Sequence, residues 1–200
     1  MDITVIALAF AAIFVVELPD KTFLATLVLS TKYRPLFVWL GVGAAFAIQT
    51  LIAVAIGGVA TLLPTDLIQI IAALLFFGGS ILLFIEGRRH HGIATVEDGS
   101  EFADKAKDVR GFRQVVASFM VLFAAEWGDL SQLLSVSLAA RYDEPVSVFI
   151  GSWAALLTVS GLAVLLGRTL LRFIKLHVLH YVGAVVCLAL GVLTLVEVLT

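Results

Sequence analysis

The chain has 200 residues, of which 61% are apolar and 14% charged, with a mean hydropathy of +1.09 and a formal charge of −2 at pH 7. Soluble domains carry about a quarter charged residues, so an ordinary water-soluble enzyme is excluded, and so small a charge argues against a nucleic-acid partner. The single cysteine, Cys187, excludes a disulfide framework and any Cys-rich metal site, and it reads as a small apolar filler.

A membrane-spanning helix needs roughly 20 apolar residues. Six such stretches run in order over about 3–30, 36–63, 67–86, 114–138, 145–167 and 178–199. The first is not expected to be a cleaved signal, because it lacks a basic leading region and continues past residue 20. Corners fall at Lys32-Tyr33-Arg34-Pro35, Pro64-Thr65-Asp66 and Tyr142-Asp143-Glu144-Pro145, where proline ends helix by removing a donor and restricting the residue before it. The runs are continuous rather than alternating and too long for barrel strands. The fold class expected is therefore an all-α integral membrane protein.

Residues 87–113 form the one long hydrophilic stretch, with Arg88, Arg89, Glu97, Asp98, Lys105 and Arg113 among its charges. Mixed charge with few apolar residues cannot build a core, so it reads as a linker. His90-His91 within it read as solvated residues rather than a metal pair, and His177 and His180 as interface residues rather than a proton relay. Eleven Lys and Arg residues lie on the side of the membrane that holds this linker, against Arg141 alone on the other. The positive-inside rule then makes the linker cytoplasmic and puts both termini on the non-cytoplasmic side. The short linker and lack of a targeting segment suggest a bacterial plasma membrane.

The chain repeats itself. A shift of 109 residues lays Phe10 on Phe119, Phe14 on Phe123, Glu17 on Glu126, Asp20 on Asp129, Thr22 on Ser131 and Tyr33 on Tyr142. One added residue then lays Pro35 on Pro145, Gly41 on Gly151 and Gly57 on Gly167. The organisation expected is residues 1–86 as repeat one, 87–113 as a cytoplasmic linker and 114–200 as repeat two. Three spans per repeat is an odd number, so the second repeat enters from the opposite side. Six transmembrane helices in two inverted three-helix repeats form the plan of many secondary transporters, with the substrate site near the midplane.

Four acids stand where charge is costly. Glu17 and Asp20 lie near the middle of the first stretch, Glu126 and Asp129 near the middle of the fourth. A charge at the bilayer centre costs about 2.5–3.5 kcal/mol on insertion scales, so four unpaired would cost on the order of 10 kcal/mol. A bound cation or protonation compensates directly. The spacing of three puts each Glu and Asp on one helix face, and the repeat can bring the two faces together. Thr22, Ser131 and Gln132 add neutral oxygens nearby. With no thiolate or imidazole, the set favours hard ions such as Ca²⁺, Mn²⁺ or Mg²⁺. Pro19 and Gly128 occupy equivalent places and are expected to break the helices, freeing carbonyls that either face the ion or reflect simple kinks. Lys21 can neutralise one acid at most. Lys21, Gln49, Thr50, Thr158 and Ser160 are candidates for lining the same cavity, although Ser and Thr also bond their own helix backbone.

The pair Glu17-Leu18-Pro19-Asp20-Lys21-Thr22 and Glu126-Trp127-Gly128-Asp129-Leu130-Ser131 resembles the duplicated E-x-G-D-[KR]-[ST] signature of a family that includes bacterial manganese exporters and Golgi calcium/manganese transporters. The resemblance covers nearly the whole chain. It implies a cation/proton antiporter that moves Mn²⁺ or Ca²⁺ out of the cytoplasm, with Glu17, Asp20, Glu126 and Asp129 as metal ligands and Thr22 and Ser131 in support. Pro19 replaces the signature's glycine, and Leu130 its basic residue, leaving the site more negative by one charge. No cofactor is expected beyond the transported ion, and the partners are divalent cations, protons and the lipid bilayer. A divalent-cation channel using the same acids as a selectivity ring is the alternative. An intramembrane aspartyl protease needs only two acids, and an organic-solute exporter would leave four carboxylates without matching bases, so the chain is not expected to be an enzyme.

Overall fold

Proline at the first position of a helix wastes no donor and presets the backbone for the turn that follows. Pro35 and Pro145 each open a long helix in this way. In the computed structural model, residues 1–18, 21–60, 65–89, 109–173 and 176–199 are described, with the side chains of 21, 60, 65–68, 86, 89, 166–173, 176–180 and 197–199 left aside. These residues form eight helices: α1 (Ile3–Glu17), α2 (Lys21–Lys32), α3 (Pro35–Ala60), α4 (Thr65–Arg89), α5 (Arg113–Ala125), α6 (Leu130–Tyr142), α7 (Pro145–Phe173) and α8 (Leu176–Leu199). No strand occurs among the described residues. His90 and His91, with the rest of 90–108, lie outside them.

Two of the helices, over Pro35–Val59 and Pro145–Leu165, are long and apolar enough to cross a membrane by themselves. The first stretch expected as one span is two helices, α1 and α2, meeting at 71° and counting as a third span only if taken together. The fourth is likewise divided, into α5 and α6, at residues 126–129.

The polarity of the bundle is turned outward. Exposed positions include Leu40, Ile48 and Leu51 of α3, Leu74 and Ile81 of α4, and Val185 and Leu193 of α8, while Glu17, Gln49, Thr50, Glu126 and Ser135 are buried. In water this arrangement would waste apolar surface; in lipid it satisfies the exterior and confines polar groups to the inside. The molecule is a membrane protein.

Equivalent parts of the duplicated chain pack in equivalent ways. A Cβ on Gly41 of α3 would lie 2.3 Å from the Val115 carbonyl of α5, and one on Gly151 of α7 would lie 2.4 Å from the Ile6 carbonyl of α1. Val115 and Ile6 are 109 residues apart, the repeat distance, so the equivalent glycine of each half lets its helix touch the equivalent helix of the other half. Phe10 stacks on Phe14, and Phe119 on Phe123, at centroid separations of 5.7 and 5.2 Å. The residue added in repeat two is absorbed at Asp143, whose φ of 51° closes the corner before Pro145; aspartate is one of the few side chains that tolerate this conformation.

Two antiparallel contacts join the halves. The Trp39 indole donates to the Leu157 carbonyl and the Trp153 indole to the Gly43 carbonyl, both at 3.0 Å. Numbers fall along α7 as they rise along α3, so these equivalent helices run in opposite directions. The pair α4 and α8 does the same: Ser80 donates to the Ala184 carbonyl, and the Phe84 ring lies 5.5 Å from that of Tyr181. The helix breaks of α1–α2 and α5–α6 are held against this antiparallel frame.

Candidate cation site

The second break is built from glycine outward. Gly128 has φ +77°, a conformation open to glycine at little cost, and it turns the chain between α5 and α6. Glu126 sits at the end of α5, where its N–H still donates to the Leu122 carbonyl. Asp129 opens α6, and its own carbonyl accepts from the Gln132 and Leu133 amides. Its carboxylate makes no capping bond to the helix, which leaves it available to the site. Gln132 stitches the turn. Its amide nitrogen donates to the Glu126 carbonyl at 2.6 Å, and its amide oxygen accepts from the Gly128 N–H at 3.2 Å.

The first break brings its acid to the same place. Glu17 ends α1 fully buried, at 0% exposure, and Glu126 is 2% exposed. One carboxylate oxygen from each of Glu17, Glu126 and Asp129 can be chosen so that all three lie within 4.8 Å of one another. Three oxygens that close are a set a single hard cation can bridge. The Thr22 and Ser131 hydroxyls stand beside Glu17, yet neither Glu17 oxygen accepts a hydrogen bond of normal geometry from a described residue. Asp20 and Pro19 lie outside the described residues, as does the side chain of Lys21.

Beside one of these acids is a cavity lined by Phe46, Gln49, Thr50, Glu126, Ser131, Gln132, Ser135 and Leu156, with room for about one water-sized group. Gln49 and Thr50 thus reach the cavity beside Glu126 from α3. Thr158 faces elsewhere: it is exposed, donates to the Ala154 carbonyl and lines an outer groove with Pro35, Trp39 and Leu165. Ser160 is buried but donates to the Leu157 carbonyl of its own helix and is not among the cavity's lining residues. Two carbonyls at the second break are already satisfied, Glu126 by Gln132 and Phe123 by Gln49.

Phe46, Ser135 and Leu156 are the lining residues that sequence reading missed, and of these Ser135 is the polar one. Its hydroxyl donates to the Ser131 carbonyl and meets the Ser152 hydroxyl. A signal existed, since Ser135 falls one turn after Ser131 and on Thr26 in the 109-residue register. Thr26 is also buried. The departure at Leu130 has a packing reason: its side chain fills the space above Gly79 of α4, where an added Cβ would come within 2.7 Å. A lysine in its place would bring a charge to that apolar contact.

Lipid-facing helices around acids that meet from two helix breaks define a membrane protein with a buried acidic centre. The family model described as divalent cation/proton antiporter GDT1 matches residues 5–91 and 114–200, and the chain belongs to that family, the one its acidic motifs resemble. It is 32% identical to the chloroplastic protein PAM71 of Arabidopsis thaliana, over 97% of this chain and 57% of that protein. It is 38% identical to a GDT1-like protein of Synechocystis, over 64% of this chain and 66% of that one. With GDT1-like protein 5 of Arabidopsis thaliana it shares 27% identity over 94% and 93% of the two chains. The chain spans under two thirds of the length of the chloroplastic relatives it matches. No solved structure matches it significantly.

Proposed function

We propose that the chain is a secondary transporter that exports Mn²⁺ or Ca²⁺ from the cytoplasm in exchange for protons. Glu17, Glu126 and Asp129, with Asp20 as fourth ligand, hold the ion near the membrane midplane. Six spans in two inverted three-helix repeats carry the site, residues 1–86 and 114–200, joined by a cytoplasmic linker over 87–113, with both termini on the other side of a bacterial plasma membrane. The observation that carries the reading is the meeting of three carboxylates, two of them almost fully buried, from two helix breaks that are equivalent in the duplicated sequence.

The chemistry follows from that crowding. Ionised carboxylates this close repel one another in a medium that screens poorly, so the empty charged site is costly and a divalent ion relieves it. Protons relieve it equally well. Cation and protons therefore compete for the same oxygens, and a site able to face either side exchanges one for the other. Thr22 and Ser131 support the carboxylates through their hydroxyls. Antiparallel pairing of α3 with α7 and of α4 with α8 supports the inverted plan, because equivalent helices of inverted repeats run in opposite directions.

The test is uptake by proteoliposomes holding the full chain, with Mn²⁺, Ca²⁺ and Mg²⁺ in competition and with or without a pH gradient. An exchanger concentrates Mn²⁺ or Ca²⁺ when an opposing proton gradient is imposed. Purely downhill movement, unaffected by the pH gradient, would favour a channel and overturn exchange.

A further inference from the structure

Gln49 is the polar side chain whose position the four acids do not explain. It projects from α3 and is 4% exposed, and it borders the cavity that holds Glu126 and Ser131. Its amide nitrogen donates to the Phe123 carbonyl at 3.1 Å. That carbonyl sits in the last turn of α5, where the break removes the helical donors that would normally follow.

The bond also fixes which way the amide points. A carbonyl oxygen can only accept, so the NH₂ group must face Phe123 and the amide oxygen must lie on the other side. That oxygen is shielded from solvent and has no donor among the described residues. A buried acceptor left unmet loses the full value of its hydration. Evolution of a lipid-facing helix offers many apolar side chains of this size at no such cost. A buried and unmet oxygen on a cavity shared with Glu126, itself one of three carboxylates that a cation can bridge, is what an ion-coordinating group requires.

We propose that Gln49 supplies a neutral oxygen ligand to the cation held by Glu17, Glu126 and Asp129, and that this oxygen tilts the site toward hard ions. The proposal rests on the cation-transport reading above. It makes the site a product of four helices, with α1 and α3 of the first half completing the acidic pair carried by α5 and α6 of the second. A neutral hard oxygen adds coordination without adding charge, so it favours Ca²⁺ and Mn²⁺ over softer ions without requiring another counter-ion.

The test compares wild type, Gln49→Met and Gln49→Leu as full chains in proteoliposomes, with initial uptake rates of Ca²⁺, Mn²⁺ and Cd²⁺. Both variants leave the Phe123 carbonyl unmet, so any structural loosening is common to them and acts on all ions alike. Methionine alone puts a soft sulfur near the place of the oxygen. The expected result is a KM for Ca²⁺ raised on the order of tenfold in both variants, with the KM for Cd²⁺ raised in Gln49→Leu but kept near wild type in Gln49→Met. Unchanged KM values, or the same factor for every ion in both variants, would overturn the proposal. If Gln49→Leu does not fold, the ratio of Ca²⁺ to Cd²⁺ KM in Gln49→Met against wild type decides the matter by itself. Wild-type vesicles that move no divalent cation would instead overturn the transport reading, which separates the two failures.

Discussion

In the second half of the chain the break beside the acids is stitched by polar groups: Gly128 turns the backbone, and both ends of the Gln132 amide are bonded across the turn. In the first half the position 109 residues earlier is Phe23. Phe23 is buried with Val159 and Ala163 of α7, and Phe14 and Leu18 pack around them. The second break is therefore pinned to itself by directional bonds, while the residue of α2 equivalent to Gln132 makes an apolar contact with α7 instead. The bonds of Gln132 tie the backbone of Glu126 to that of Gly128, next to Asp129. Duplication has kept the acids and changed the residue at this position from polar to apolar.

The largest effect should come from the acids themselves, since the comparison requires both halves in one site. Loss of a group that merely supports a metal ligand lowers affinity about 10- to 100-fold, so Glu17→Gln and Glu126→Gln should each reduce cation uptake by at least about a hundredfold in vesicles. Equal loss in both, with the protein still folded by size-exclusion profile, fits a shared site. Loss in only one would reduce the site to a single half.

The comparison sharpens at the two stitching positions. Gln132→Leu frees the Glu126 carbonyl and the Gly128 N–H and should raise KM for the transported ion by about tenfold to a hundredfold. Phe23→Leu changes apolar shape alone, costing less than about 1.5 kcal/mol, and should move thermal stability while leaving KM within a factor of about two. The same split in reverse would show that the first break, and not the second, sets the geometry of the site.

Smaller effects test the backbone. Gly128→Ala meets open space, with nothing within 4 Å of the added Cβ, so its cost is conformational, roughly 1–2 kcal/mol, and uptake should fall by about tenfold. Gly41→Ala and Gly151→Ala instead drive a methyl onto a neighbouring carbonyl, each costing about 1–3 kcal/mol. Similar falls in melting temperature for the two would show that the halves share one packing plan. A large difference would mean that the equivalent contacts are not equally tight.

Much of this was legible before any coordinates. Glu17, Glu126 and Asp129 stood out because charge in an apolar run is expensive, and the repeat stood out because Glu, Asp, Tyr, Pro and Gly recur in one register. Pro35 and Pro145 marked helix starts that fall where proline places them. Pro19 and Gly128 marked where the first and fourth stretches were expected to break, but the 71° angle between α1 and α2 was not legible, because both helices are apolar enough to read as one continuous run. Nor could the sequence tell that Gln49 and Thr50 line the cavity beside Glu126 while Thr158 faces outward. A helix wrapped in lipid is apolar on nearly every side, so its composition carries little record of which face turns inward. The bonds that the Gln132 amide makes to the Glu126 carbonyl and the Gly128 N–H were not legible either, because they depend on a turn whose shape the sequence does not spell out.

The most direct measurement is equilibrium binding of Mn²⁺ to the purified full chain, followed by the electron paramagnetic resonance of the free ion, in wild type, Glu17→Gln and Glu126→Gln. One ion bound per chain, lost from both variants, is the result expected if the two halves close on a single cation. Mn²⁺ bound by Glu17→Gln with wild-type affinity would contradict it, since the ion would then be held by the second half unaided.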